Sequence, residues 1–226
     1  MRVEFCSTGL RLHSSAVSGK FIAIEGIDGA GISTQAGLLV AHLTGSAVRC
    51  LRTREPTDRP IGAVIRQVLA HRYAMPPESL ALLFAADRVD HIENVVHPAL
   101  TDGVTVVSER HLLSSLAYQG SLLRDIAWVR AINRGASRRI EPDLTILLDV
   151  RPALSLRRID GDVRRDGREI FEEEATLRET RHAFLRQAAL LRRRGRRIDI
   201  IDASAPVAAV AERVCALADA MLGESG

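Results

Sequence analysis

Lysine is almost missing from this chain. Of its 31 lysine and arginine residues, spread over 226 positions, only Lys20 is a lysine, so positive charge is carried by guanidinium groups, which differ from amines in shape and in hydration. Cysteine is scarce as well. Cys6, Cys50 and Cys215 make no Cys-x-x-Cys pair and have no histidine ladder nearby, which excludes a disulfide framework and a zinc site and leaves reduced thiols of a cytoplasmic protein as the expectation. Long apolar runs are absent too: no stretch approaches the roughly 20 residues of a membrane span. Residues 1–18 carry Arg2 and Arg11 with only short apolar runs, which is not the pattern of a secretion signal, and they are expected to be a flexible extension, a misassigned start or a small added strand, in that order. Residues 19–226 are expected to form a single domain.

What the chain does have is alternation. Apolar runs of about five residues, rich in β-branched types, occur at 21–25, 48–53, 104–108, 144–150 and 198–202, each the length of a buried strand. Segments of helical period lie between them at 33–44, 60–70, 77–101, 112–118, 122–134, 152–159, 171–194 and 206–222. This order predicts an α/β fold with a five-stranded parallel sheet flanked by helices in three layers. In such a sheet ligands bind beyond the carboxyl ends of the strands, which directs attention to residues 26–34, 54–59, 109–118 and 151–167.

The first of these segments reads Gly26-Ile27-Asp28-Gly29-Ala30-Gly31-Ile32-Ser33-Thr34. Strand, glycine-rich turn and helix start follow in the order that lets backbone N–H groups converge on phosphate oxygens, as in P-loop NTPases. Gly26, Asp28, Gly29, Ala30, Gly31, Ile32, Ser33 and Thr34 are thus the expected cradle for a nucleoside triphosphate, with the Ser33 hydroxyl on the Mg²⁺ side. The lysine that ordinarily follows the last glycine is replaced by Ile32. Lys20 cannot stand in, because five extended residues of roughly 3.3 Å each separate it from the loop.

From 21 to 222 the chain resembles the thymidylate kinase family. The resemblance is carried by Phe21-Ile22-Ala23-Ile24-Glu25-Gly26-Ile27-Asp28-Gly29-Ala30-Gly31, by Thr53-Arg54-Glu55-Pro56, by Leu83-Phe84-Ala85-Ala86-Asp87-Arg88 and by Ser114-Ser115-Leu116-Ala117-Tyr118-Gln119-Gly120. It implies transfer of a phosphoryl group from ATP to dTMP in the presence of Mg²⁺. Phe84 and Arg88, four apart on one helix face, can address the same base, and the resemblance makes that base thymine. It places Arg54, Ser114, Ser115, Tyr118 and Gln119 around the acceptor, with Tyr118 against the sugar. Arg110 grips the acceptor phosphate through two donors. Glu109, an acid where the family has an aspartate, joins the metal shell or positions that arginine. Asp28 is implied between the sugar, the acceptor phosphate and the metal.

Residues 160–170 resemble the family's lid, and Arg164, Arg165 and Arg168 are its available cations, with one lid arginine, Arg165 or Arg168, expected to fill part of the space left by the missing lysine. Three departures stand out: Ile32 itself, Thr57-Asp58-Arg59 in place of a glycine-rich continuation, and Ser115 in place of a larger side chain. They leave open a kinase of another pyrimidine monophosphate, and a nucleotide-binding protein without catalysis. The run Arg192-Arg193-Arg194-Gly195-Arg196-Arg197 ends a helix, where cations complement the helix dipole, so no nucleic-acid partner is expected. The resemblance further implies a homodimer, for which the apolar segment 77–101 is the candidate face. His91, His97 and His111 are assigned solvated or packing roles.

Overall fold

The computed structural model describes residues 19–72, 74–162 and 168–224. The expected extension 1–18, and Arg164 and Arg165 of the expected lid, lie outside them. Five strands, β1 Phe21–Gly26, β2 Cys50–Arg54, β3 Thr105–Glu109, β4 Leu144–Asp149 and β5 Ile198–Asp202, form one all-parallel sheet in the order β2-β3-β1-β4-β5. β1 is buried along its whole length, as a strand covered on both faces must be. Its alternation divides the core. Ile22 and Ile24 face the main cluster with Leu39 and Leu43, whereas Phe21 joins Val106 in a smaller one against Leu100.

The helices are α1 Ile32–Gly45, α2 Pro60–Leu69, α3 Pro77–His91, α4 His97–Thr101, α5 Leu112–Leu123, α6 Ile126–Ile132, α7 Arg134–Ser137, α8 Pro152–Asp160, α9 Glu174–Arg192 and α10 Val207–Gly223. α1 and α10 pack on each other and on the sheet, and so do α5 and α9. Residues such as Leu39, Leu43, Phe184 and Val214, all at most 1 % exposed, hold these layers, each contributing about 1.5–3 kcal/mol of burial.

Two expected helices are corrected. The segment 77–101 is not uniform: Ile92–Val96 widens into a π-helical turn between α3 and α4. Pro98 sits in the first turn of α4 and has no N–H to return to the carbonyl four residues back, so the wider turn carries the chain past it. The segment 122–134 does not begin a helix at Leu122, because α5 runs on to Leu123 and stops where Arg124 turns left-handed at φ 52°. Asp125 then caps α6, accepting from Trp128 N at 2.9 Å, a side-chain cap of the ordinary kind.

The register determines where chemistry can occur. Ile24 lies opposite Glu109, and Arg54 opposite Glu109 on its other side, so the carboxyl ends of β1, β2 and β3 finish level. Arg110 adopts φ 70°, a conformation a side chain takes only when its surroundings hold it there. They do: Arg110 N donates to Ile24 O at 2.8 Å and Ser108 Oγ donates to Arg110 O at 2.8 Å. The kink turns the Arg110 side chain back toward the glycine loop.

Candidate active site

A cavity of about 780 Å³ opens beyond these strand ends, walled by the glycine loop on one side and by Phe84, Arg88 and Gln119 on the other. The loop's backbone depends on its glycines. Gly29 has φ 74° and Gly31 φ 93°, and a Cβ on Gly29 would lie 2.5 Å from Ser155 O. Gly31 precedes α1 with no side-chain cap and no acidic residue in the first turn. The unbonded N–H groups of that turn, and the positive end of the helix dipole, are therefore available to an anion. Ser33 and Thr34 are exposed there, while Ile32 is 7 % exposed and packed into the core cluster with Ile27, Ala30 and Ala36.

Beside the loop, Arg110, Asp28 and Tyr118 form a closed set. Arg110 Nη2 donates to Asp28 Oδ1 at 2.5 Å, and its Nη1 to Gly26 O at 2.8 Å and Ser114 Oγ at 3.1 Å. The Tyr118 hydroxyl donates to Asp28 Oδ2 at 2.8 Å and accepts from Asp28 N at 3.0 Å. Burial and the neighbouring Asp28 carboxylate push that hydroxyl well above its usual value, so it stays a proton donor. Both Asp28 oxygens thus accept from a protein donor, Oδ1 from Arg110 and Oδ2 from Tyr118, and each retains a lone pair for a further partner.

Glu109 meets partners other than Arg110. It does not position Arg110: Oε1 accepts from Arg52 Nε at 2.8 Å, and Oε2 takes the Ser33 hydroxyl. Arg52 Nη2 also donates to Ser33 O at 2.9 Å. Ser33 and Glu109 thus bring two hard oxygen donors together. Among the described residues no group of three or more histidine, cysteine or acidic side chains forms a metal cage. Two oxygens, supplemented by substrate phosphates and water, match the way Mg²⁺ is bound in phosphoryl-transfer sites.

On the acceptor side Phe84 lines the cavity, half-buried. Arg88, 1 % exposed, is held by the protein: Nε donates to Glu55 Oε2 at 2.9 Å, Nη2 to His111 O and Ser115 Oγ at 3.1 Å each, and Nη1 to Asn133 Oδ1. Glu55 Oε1 also meets His91 Nδ1 at 3.1 Å and His111 Nδ1 at 3.0 Å. The two histidines belong to a buried ionic cluster, so a solvated role is wrong for them. Burial alone would raise the Glu55 carboxyl, but the Arg88 guanidinium, His111 and His91 together outweigh it and hold the group well below the usual carboxylate range. Burial lowers the His111 imidazole against the pull of Glu55. Arg54 faces solvent and pairs with Asp58 at 2.5 Å, and Gln119 is buried in the cavity wall. Arg168 makes a two-pronged pair with Asp160, at 2.8 and 2.7 Å, and does not line the cavity.

Glu25, one residue before the loop, is fully buried and accepts from His111 N at 2.9 Å, from Ser114 N at 3.3 Å and from the Ser114 hydroxyl. It thereby caps α5 from another element. Burial pushes its carboxyl up to about 7, partly offset by Ser114 and Arg110. A carboxyl raised in the fold stabilises it most below the unfolded value near 4.5, and that stabilisation is lost as pH rises through about 7. The full shift corresponds to roughly 3 kcal/mol at most. Glu25→Gln, which keeps the carbonyl acceptor, is expected to flatten the fall in melting temperature between about pH 5 and pH 8. An unchanged pH profile would show that Glu25 is ionised throughout.

Sequence reasoning missed Arg52, Glu55, Arg158 and Asn133. Arg52 and Glu55 lie within or next to the motif Thr53-Arg54-Glu55-Pro56, and a charged residue inside a strand was the available signal for Arg52. Arg158 donates to Gly29 O at 3.3 Å and Ala203 O at 2.9 Å, yet in sequence it is one of an unremarked arginine pair. Asn133 gave no signal.

A family model described as thymidylate kinase matches residues 24–214. The chain is 40% identical over 198 residues to thymidylate kinase of Leifsonia xyli subsp. xyli, covering 87% of this chain and 92% of that one. It is 36% identical over 213 residues to probable thymidylate kinase of Thermococcus kodakarensis, covering 90% and 99%. A third similar protein is thymidylate kinase of Clavibacter sepedonicus, 38% identical over 208 residues, covering 91% and 97%.

Proposed function

The chain belongs to the thymidylate kinase family, and we propose that it phosphorylates dTMP to dTDP, with ATP as the donor and by direct in-line transfer. The observation that carries this reading is the single cavity of about 780 Å³ that joins a glycine-loop anion site to an aromatic and guanidinium pocket. Two nucleotides can meet there without a covalent intermediate.

In this reading the first-turn N–H groups of α1 and the loop from Gly26 to Thr34 bind the donor's phosphates. Phe84 lies against the thymine. Arg88 Nη1 carries two hydrogens and spends one on Asn133, which leaves one for a base carbonyl. Arg54 and Arg110 take the acceptor phosphate. For Arg54 this means exchanging its exposed partner Asp58 for the phosphate, at small cost because such surface pairs contribute only about 0–1 kcal/mol. Asp28 and Tyr118 hold Arg110 in place, and Tyr118 with Gln119 closes the wall at the sugar. Ser33 and Glu109 would hold Mg²⁺, which neutralises charge on the transferred group. The acceptor's phosphate oxygen bonds to the terminal phosphorus as the bond to ADP breaks.

A cytoplasmic location and pairing of two copies belong to the same proposal. Among the described residues no helix is long and apolar enough to cross a membrane, and Leu82 of α3 is 49 % exposed on the helix expected to offer a dimer face.

The test is diphosphate formation from dTMP, dUMP, UMP and CMP with MgATP. dTMP is expected to turn over fastest and UMP and CMP at least tenfold more slowly, a loss of about one specific contact. Binding of dTMP without any diphosphate would overturn the reading.

A further inference from the structure

The glycine loop has no lysine, yet three of its backbone carbonyls each receive a guanidinium. Arg110 donates to Gly26 O at 2.8 Å, Arg158 to Gly29 O at 3.3 Å and Arg52 to Ser33 O at 2.9 Å. Arg110 and Arg158 line the cavity. Arg52 does not, and the mechanism above gives it no task.

Its surroundings are nevertheless built for it. Arg52, Glu109 and Ser33 close a ring: the guanidinium donates to the Ser33 carbonyl and to Glu109 Oε1, while Glu109 Oε2 takes the Ser33 hydroxyl. Three elements, β2, β3 and α1, meet in this ring. One turn further along α1, Gly37 leaves the space the guanidinium needs, since a Cβ there would lie 3.2 Å from Arg52 Nη1. Arg52 is 41 % exposed and Glu109 only 12 %, so the carboxylate is the more confined partner and the arginine is its principal counter-charge.

We propose that Arg52 is a positioning residue of the phosphate-donor site: it holds the Glu109 carboxylate on the Ser33 hydroxyl and offsets its charge, taking over part of the electrostatic task of the missing lysine. The proposal rests on the kinase reading and deepens it. The physical argument concerns the nucleotide's charge. A metal-free triphosphate carries the most negative charge and is repelled most strongly by an uncompensated Glu109, whereas its Mg²⁺ complex brings a cation that the freed carboxylate attracts. Removal of Arg52 therefore weakens metal-free binding in preference to metal-bound binding.

Isothermal titration calorimetry with a non-hydrolysable ATP analogue, once in excess Mg²⁺ and once in EDTA, reads this directly on the full chain. Arg52→Met is expected to raise the ratio of metal-free to Mg²⁺ dissociation constants about fivefold to tenfold at low salt, less at high salt. Arg52→Lys is expected to restore at least half of the change on a logarithmic scale. Gly37→Ala, which crowds Arg52 without removing its charge, should shift the ratio in the same direction by a smaller factor. Affinity for dTMP should be unchanged in all three. Equal changes in both dissociation constants, or none, would reduce Arg52 to a structural side chain and overturn the proposal. An unmodified chain that binds dTMP but not the analogue fails differently, because then the kinase reading falls with it.

Discussion

Ile32→Lys is expected to raise kcat for dTDP formation by about 10²-fold, with a smaller change in the KM for ATP. Losing one charged contact to a transition state commonly costs on the order of 10²–10³ in rate, and an amine on this loop reaches the phosphates whose charge shifts during transfer. The lower end of that range applies here, because Arg110, Arg158 and Arg52 already bring positive charge to the loop. The substitution is sterically reasonable. Ile32 is 7 % exposed but lines the cavity, so a lysine can leave its stem against Ile27 and Ala30 and extend its amine into the open space. Some stability is lost with the branched methyl groups, about 1 kcal/mol. Steady-state kinetics of the two forms at saturating dTMP, with melting temperatures as a control, decide the matter. A gain below about fivefold would mean that the arginines replace the lysine in full, and a gain from no detectable turnover would mean that the natural chain binds nucleotides without acting on them.

How much of this could be read from the sequence depends on whether the determining interactions are local. Strand positions were legible because β1, β3 and β4 are buried on both faces and so appear as short, mainly apolar runs, interrupted only at residues such as Glu25, Ser108 and Thr145. The loop was legible because Gly29 and Gly31 occupy left-handed positions that glycine alone takes without strain. Helix ends were less so. The break at Arg124 depends on a single residue turning left-handed, and the widened turn at Ile92–Val96 has no compositional mark beyond Pro98. Among the site residues, Asp28, Ser33, Phe84, Arg110 and Tyr118 were brought together as expected, since each lies on a motif just after a strand or on a helix face. Partnerships were not legible. Nothing local tells that Glu109 would pair with Arg52 and Ser33 instead of with its neighbour Arg110. The same holds for Glu55, which collects one arginine and two histidines from positions 33, 36 and 56 residues away. Those pairings are set by the register of β2, β3 and β1, which only the assembled sheet defines.

The cluster around Glu55 supports the second large prediction: Glu55→Gln is expected to destabilise the fold by about 3–5 kcal/mol at pH 7. Arg88 is 1 % exposed and Glu55 5 %, and removing one member of a buried ion pair leaves the other charge without compensation in a poorly solvating interior, which costs about that much. The amide can still accept from one histidine, so hydrogen bonding alone would predict a loss nearer 1 kcal/mol. The size of the effect therefore separates charge from hydrogen bonding. A double substitution, Glu55→Gln with Arg88→Met, should cost less than the sum of its parts, because removing the stranded guanidinium removes the penalty. The pH dependence carries a second signature. The Glu55 carboxyl is held well below its usual range, so its contribution is complete above about 4.5 and is lost as pH falls through the lower folded-state value. His111 is also lowered, by burial, so protonating it favours the unfolded chain, and its own contribution falls as pH drops below about 6.5, against the gain that Glu25 gives over the same range. With Glu25→Gln in place, so that the opposing gain is absent, acid unfolding should accordingly occur in two stages, the first from His111 and the second from Glu55, and adding Glu55→Gln should abolish the second. Urea unfolding followed by circular dichroism from about pH 2 to pH 8 would measure both. A loss at pH 7 of less than about 1 kcal/mol would show that Arg88 finds enough compensation in the His111 carbonyl, Ser115 and Asn133 to do without its carboxylate.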